Sequence, residues 1–435
     1  MHNLHSRNTV RYYLLLVLGL LVLFFSNDFG LLDVQKTAIV LAAGIDRDAD
    51  SFIVTSQISI PQSSTQGKQA QAVQIVSRGK TVADAFDEIN AKTGWYPKLV
   101  FCDLIVLGSS VAEQNVFDAL DFFLRDEYLT DNCLLATCDG TAKEILNASA
   151  LVDPSSSVAI QKVLSSHAER VGTALPVSLR EFSIGYFSDS KSGYLPVLKT
   201  EPQQEKIGNE GEKQGGSNGS DGSSESENSG GSGSSGNSGG EKSQGQSQGG
   251  ASGGQKNSES GQSEQNKPVF SASETALFVN GKRVETLTRE ETFALCAVTG
   301  KLRLASYAVE RNGDTCTLTV KRNSPSVKLQ VGKDGMATLN VDLTMTAGVL
   351  DYSVAQPLES ISDVGDVSKA YFSVAEKKLA GEIHRVFEKS RACGCDVFRV
   401  RERLVKYKNR RLRVHQDTVL SRSLADVKVR FENVR

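Results

Sequence analysis

The stretch from Glu201 to Lys267 constrains the fold of this chain more than any other feature. Its 67 residues hold 18 of the 38 glycines and 16 serines, and Ile207 and Ala251 are its two hydrophobic residues. Such a segment buries too little apolar surface to offset the entropy of ordering it, so it is expected to be disordered. As a flexible coil it would span about 45–50 Å root-mean-square, from roughly 5–6 Å times the square root of its length. The remainder is roughly 46% hydrophobic, which is ordinary for globular domains. Two cores joined by a linker are therefore expected, and a fibrous, collagenous or wholly disordered protein is excluded.

Charge divides along the same line. The segment carries ten acidic and five basic residues, so a formal net charge of −2 for the chain leaves +3 on the rest. Neither value supports a nucleic-acid partner, which needs a concentrated basic face. The one basic cluster, Arg399 to Arg413, sets eight Lys or Arg against Glu402 and reads as a solvated helix face.

Near the N-terminus Arg7 and Arg11 precede Tyr12 to Phe25, a run of fourteen uncharged residues. A basic segment before an apolar one is the pattern of an export signal, which makes the rest of the chain extracytoplasmic. No small-x-small cleavage site follows in Ser26-Asn27-Asp28-Phe29. An uncleaved signal anchor is therefore expected over a cleaved peptide, with residues 1–11 cytoplasmic and Tyr12, Leu14, Leu18, Leu21 and Phe25 in its apolar core. Fourteen residues fall short of the ~20 of a typical span, so thinning or snorkelling would have to complete it.

Seven cysteines leave at least one unpaired. Cys133 and Cys138, five apart on an expected strand, point to opposite faces. Cys393 and Cys395 flank Gly394 too closely for an unstrained bridge, and they lack the second ligand pair of a closed zinc site. Most of the seven are expected to be small buried side chains.

Hydrophobic periodicity orders the rest. Thr37–Ile45 and Ser51–Ile60 read as paired strands. Asp46, Asp48 and Asp50 lie in their connection, where Ser51 and Gln57 replace the Gly and Glu of a calcium loop, so a polar hairpin turn is expected. Thr81 caps a helix carrying Val82, Phe86 and Ile89. Leu99–Leu107 reads as a strand, Val111–Leu124 as one helix, Asn132–Cys138 as a strand, Thr141–Asn147 as a short helix and Val158–Ala168 as helical. After the linker, Thr275–Phe278 with the turn at Gly281 opens a hairpin. Thr317–Val320, Val327–Val331 and Ala337–Thr346 are strands, and Val367–Lys389 and Asp396–Lys408 are helices. Ala425–Val434 is a closing strand. The result is α+β, with two or more mixed-sheet modules and packed helices: an N-terminal domain over 33–198, a linker over 199–268 and a C-terminal domain over 269–435.

No phosphate loop, His-Glu-x-x-His or Gly-x-Ser-x-Gly is present, and the histidines after the anchor stand isolated in sequence. Neither an enzyme nor a cofactor or metal site is expected.

Several short motifs recur in a family order. They are Gly44-Ile45-Asp46, then Gly79-Lys80-Thr81 before a helix, Leu104 to Gly108, and Asp121-Phe122-Phe123-Leu124-Arg125-Asp126. Gly140 to Leu146, Leu179-Arg180-Glu181-Phe182, Tyr194-Leu195-Pro196, Ala276-Leu277-Phe278 and Asp396-Val397-Phe398 follow. In this order the chain resembles the Ger(x)C spore germination proteins, the C subunits of nutrient germinant receptors. Members of that family usually carry a lipidated cysteine followed by Trp-Asp. Here Asp28-Phe29-Gly30 stands in that place and the first cysteine is Cys102. The apolar run would then have to hold the protein in the membrane itself. The Pro and Trp typical of the family's last helical region are also replaced, by Val405 to Lys408.

The resemblance implies a non-enzymatic, membrane-anchored subunit on the outer face of the spore inner membrane. It would assemble with A-type and B-type integral membrane subunits during germination. No ligand pocket transfers residue by residue, so germinant binding by this subunit stays open. A generic signal-anchored envelope-binding module, for peptidoglycan or a protein, is the alternative.

Overall fold

A computed structural model describes residues 12–21, 37–59, 72–148, 153, 155–202, 269–332, 336–354, 365–406 and 417–434. Residues 12–21 form a helix, α1, exposed along its length, which carries Tyr12, Leu14, Leu18 and Leu21. Phe25 lies outside the described residues. Among those described, no helix is long and apolar enough to cross a membrane.

Among the described residues the first sheet has ten strands. Its main path runs β10 (Lys282–Leu287), β9 (Val269–Val279), β8 (Ser192–Glu201), β6 (Leu134–Cys138), β5 (Leu104–Leu107), β1 (Thr37–Asp48), β2 (Ser51–Ser59) and β3 (Ala72–Gly79). β4 (Tyr96–Lys98) adds to β1 and β7 (Val177–Ser178) adds to β6. β8, β6, β5 and β1 are mutually parallel, and the outer strands are antiparallel. The parallel strands are buried on both faces, which is why Leu104–Leu107 reads as an unbroken apolar run. On one face Ile45, Ile105 and Leu135 meet α2 (Val82–Thr93), α4 (Phe117–Arg125) and α8 (Leu179–Phe187). On the other, Ala42, Leu104 and Val106 meet α5 (Ala142–Asn147) and α6 (Ser156–Val163), with α7 (Ser166–Val171) beside them.

Two expected elements change here. The expected strand Leu99–Leu107 is β5 alone, because Cys102 N–H donates to Leu99 O at 2.9 Å and loops residues 99–103 out. The expected helix Val111–Leu124 is broken into α3 (Ser109–Ala112) and α4. Between them Val116 N–H donates to Gly281 O at 2.9 Å, and Asn115 Oδ1 accepts from Phe117 N–H at 3.2 Å. A tertiary partner and a local cap thus capture backbone groups that one continuous helix would have used internally.

The second sheet, β11 (Ala305–Arg311), β12 (Asp314–Val331), β13 (Ala337–Tyr352) and β14 (Leu424–Asn433), packs against α9 (Arg289–Thr299) and α10 (Lys369–Cys393). The two expected strands Thr317–Val320 and Val327–Val331 are one strand, β12, with a register shift between Val320 and Arg322. Of the expected helix Asp396–Lys408, Val400–Lys406 forms α11, residues 396–399 are a turn before it, and residues 407–408 lie outside the described residues. The closing strand is β14, and it lies parallel to β13.

Residues 269–287 complete the first sheet instead of opening a separate body. Glu201 faces Val269 in register, and Ala276 and Phe278 fill the first core. The glycine- and serine-rich segment therefore connects two neighbouring antiparallel strands. Doubling a loop's length costs only about 0.6 kcal/mol, so a long insertion is tolerable there.

Glu382 on α10 is 1% exposed, and its carboxylate accepts from Tyr307 Oη at 3.2 Å. Burial raises its carboxyl above the ordinary 4.5, while Lys378, Tyr307 and Arg385 pull it down and Glu290 pushes it up. The folded chain then holds this proton more tightly than the unfolded chain. The stabilising contribution is full below the unfolded pKa and is lost as pH rises through the folded one. Relative to Glu382→Gln, the wild type should gain stability on acidification from neutral pH toward the unfolded value. Urea titrations at stepped pH measure this, and a difference independent of pH would refute it.

Candidate functional site

Several of the motif residues gather at two places. The first is the carboxyl end of the parallel strands. β1 delivers Asp46 to the start of α5, where Oδ1 accepts from Ala142 N–H at 2.8 Å and Oδ2 from Lys143 N–H at 3.2 Å. Gly108 closes the space beside it, since a Cβ there would lie 1.9 Å from Asp46 Oδ1. A Cβ on Gly44 would lie 3.0 Å from that of Ala142. Gly108 N–H donates to Ile45 O at 2.9 Å, and Ser109 N–H to Gly140 O at 3.0 Å. Burial pushes the Asp46 carboxyl up, and the two amide hydrogen bonds oppose it. A helix start of this kind attracts anions, and here the chain's own carboxylate occupies it. Three motifs from distant parts of the sequence thus form one packing junction.

Near the same strand end, Asp48 pairs with Arg78 at 2.9 Å. Gly79 lies where a Cβ would meet Ala85 N at 2.4 Å, Lys80 is exposed, and Thr81 caps α2 reciprocally with Asp84. Asp46, Asp48 and Asp50 do not converge: Asp46 turns into the core, while Asp48 stays at the surface with Arg78.

On α4, Asp118 lies 3.6 Å from Arg47. On the same helix Asp121 and Arg125 pair with each other at 2.7 Å on the surface, Phe123 is buried and Phe122 stacks on Phe86 at 5.1 Å. Asp126 Oδ1 accepts from Tyr128 and Leu129 N–H at 2.8 and 2.9 Å. The structure does not bring this motif to Asp46.

The second place is a seam where β8, α8 and the turn before α11 meet. Asp396, buried, accepts from Val400 N–H at 2.7 Å and Arg401 N–H at 2.8 Å, and its own N–H donates to Ser192 Oγ at 2.9 Å. Arg401 Nη1 donates to Ser190 O at 3.2 Å. The Cys395 thiol reaches Phe278 O at 3.4 Å and Gly193 O at 3.5 Å. Above them opens a cleft of about 390 Å³ edged by Arg180, Glu181, Ile184, Tyr194, Arg399 and Glu402. Burial pushes the Tyr194 phenol up. The cleft carries both signs of charge, and Arg399 lies 4.0 Å from Glu402.

Ser192, Cys395 and Arg401 were not legible in the sequence as partners, because 117 to 211 residues separate them from the groups they meet across the seam. All seven cysteines are free; the neighbouring Cys102 thiol and burial push Cys133 up, and burial pushes Cys138 up to about 12. Among the described residues, no three His, Cys, Asp or Glu side chains are grouped to hold a metal ion.

Comparison with known proteins follows the same two regions. The spore germination protein N-terminal domain matches residues 32–200, and the spore germination B3/GerAC-like C-terminal domain matches residues 273–432. No curated protein matches. Among solved structures, the crystal structure of the GerBC protein is similar at 15% identity and a TM-score of 0.49, covering 90% of this chain and 97% of that one. With both domain models matched in order over most of its length, the chain belongs to the Ger(x)C family of spore germination proteins.

Proposed function

We propose that this chain is a non-enzymatic, extracytoplasmic receptor subunit, held by its N-terminal apolar run on the outer face of the spore inner membrane and assembled there with the A-type and B-type integral membrane subunits. Family membership supports a C-subunit role in spore germination. The observation that carries the finer reading is the use of the motif residues. Gly44, Asp46, Gly108 and Asp396 serve to lock strands and helices together. A framework of this kind suits a protein that presents surfaces to partners.

The anchor core is Tyr12, Leu14, Leu18, Leu21 and Phe25, and the charged seam cleft is a candidate contact for a receptor partner. Co-purification from detergent-solubilised spore membranes tests the reading. A tagged full-length chain should bring down both integral subunits, and the chain should stay with membranes through a high-salt wash. Recovery in the soluble fraction, with an N-terminus mapped after Ser26, would overturn the anchored reading. Recovery from membranes with neither subunit would overturn the assembly.

A further inference from the structure

The start of β1 carries an exposed aromatic surface. Tyr96 lies opposite Thr37, the first residue of β1, and is 51% exposed. Three residues past β4's Pro97, the turn that ends at Cys102 throws Val100 and Phe101 outward, 42% and 56% exposed. Tyr128, 54% exposed, brings its ring to 4.5 Å from Lys98 Nζ. Lys98 itself pairs with Ile39 of β1. Tyr96 and Lys98 thus lie two residues apart on β4, Tyr128 lies over Lys98, and Val100 and Phe101 follow in the next turn, all at one end of a strand. Single exposed apolar side chains need no explanation, but a group of them marks a contact.

Where the chain comes from narrows the occupant. Residues 26–36 join the apolar run to Thr37, and eleven residues reach at most about 40 Å when fully extended. If the run sits in a bilayer, this end of β1 stays within that reach of the bilayer surface, about 30 Å closer along the chain than the far end of the strand. Tyrosine rings with a neighbouring lysine are the composition favoured at the level of lipid headgroups, where a ring is apolar at its body and polar at its tip. Asp103 and Glu127 are exposed nearby, so attraction to anionic lipid is not the source of binding. The Asp46 junction lies at the other end of β1, about 30 Å away at ~3.3 Å per residue.

We infer that Tyr96, Val100, Phe101 and Tyr128 form a second, shallow contact with the lipid surface, which sets the orientation of the domain on the membrane. The inference rests on the anchored reading above. The only tryptophan, Trp95, is half-buried and adjoins Tyr96, so it reports on this face.

The test uses the full-length chain reconstituted with vesicles of neutral phosphatidylcholine, read by flotation and by quenching of Trp95 by lipids brominated at shallow or deep acyl positions. The chain should float, and shallow bromines should quench Trp95 more than deep ones. Val100→Ser with Phe101→Ser, both surface changes, should float equally but lose quenching at least two-fold, with an unchanged melting temperature. High salt should change none of this. A chain that fails to float overturns the anchored reading and this contact together. A chain that floats with Trp95 unquenched, or quenched equally in the double variant, overturns the contact alone and assigns the face to a protein partner.

Discussion

Gly108→Ala is expected to destabilise the protein by about 3–5 kcal/mol, the sum of an overpacked core and two strained hydrogen bonds. Gly108 has an ordinary extended backbone, with φ −66° and ψ 161°, so the requirement for glycine is steric. The incoming methyl would sit 1.9 Å from Asp46 Oδ1 and 3.3 Å from Ala142 N. Asp46 cannot retreat without releasing the Ala142 and Lys143 amides that it caps. Asp46→Ala alone loses those bonds and should cost about 1–3 kcal/mol. In that background the methyl of Gly108→Ala has room, and its further cost should fall below about 1.5 kcal/mol. The two changes are therefore strongly coupled, and urea unfolding of the four proteins in a double-mutant cycle measures the coupling. Additive effects, or a Gly108→Ala protein as stable as wild type, would refute the junction as drawn.

The second large effect is expected at the seam. Asp396→Ala removes one acceptor group from two amides, the buried Val400 N–H and the half-buried Arg401 N–H. Leaving them unsatisfied should cost about 2–4 kcal/mol. Asp396→Asn keeps one carbonyl oxygen and should recover about half of the loss. The damage should begin locally. Amide exchange should rise first in α11 and at Ser192 to Tyr194, because the Asp396 N–H to Ser192 Oγ bond joins those segments. Protection of β1 and β5 should persist under the same conditions. Uniform loss of protection across both sheets would place Asp396 in a global core instead, and no change would remove it from the seam.

Part of this was readable without a structure. Thr81 followed by Asp84 marked the start of α2, and the recurrence of Phe372, Ala375, Leu379 and Ile383 marked α10. Both signals are local, arising from spacing along one helix. Thr288 with Glu291 is an equally clear capping box, and Gly300 ends α9 at φ +79°, although α9 is not among the expected elements. The signal was present there. The break between α3 and α4 had no such local mark, because half of it depends on Gly281, far along the chain.

The candidate sites divide the same way. Gly44, Asp46, Gly79 and Asp396 stood out as motif members, but their roles did not. Asp46 in a D-x-D-x-D run resembles a cation loop or a surface turn until α5 is set against it. Asp121 and Arg125 look like a site and are a surface pair one helical turn apart.

The long glycine- and serine-rich segment shows the limit most plainly. Its composition determined that it cannot contribute a core, and periodicity determined most helices and strands on either side. Partner choice between strands was not determined, because backbone hydrogen bonds are alike for every sequence. Only the tertiary structure decided that Glu201 meets Val269 and that β9 and β10 finish the first sheet. The reason is burial: Ala276 and Phe278 find their core against Leu195 and Val197, on the far side of the insertion from their own strand.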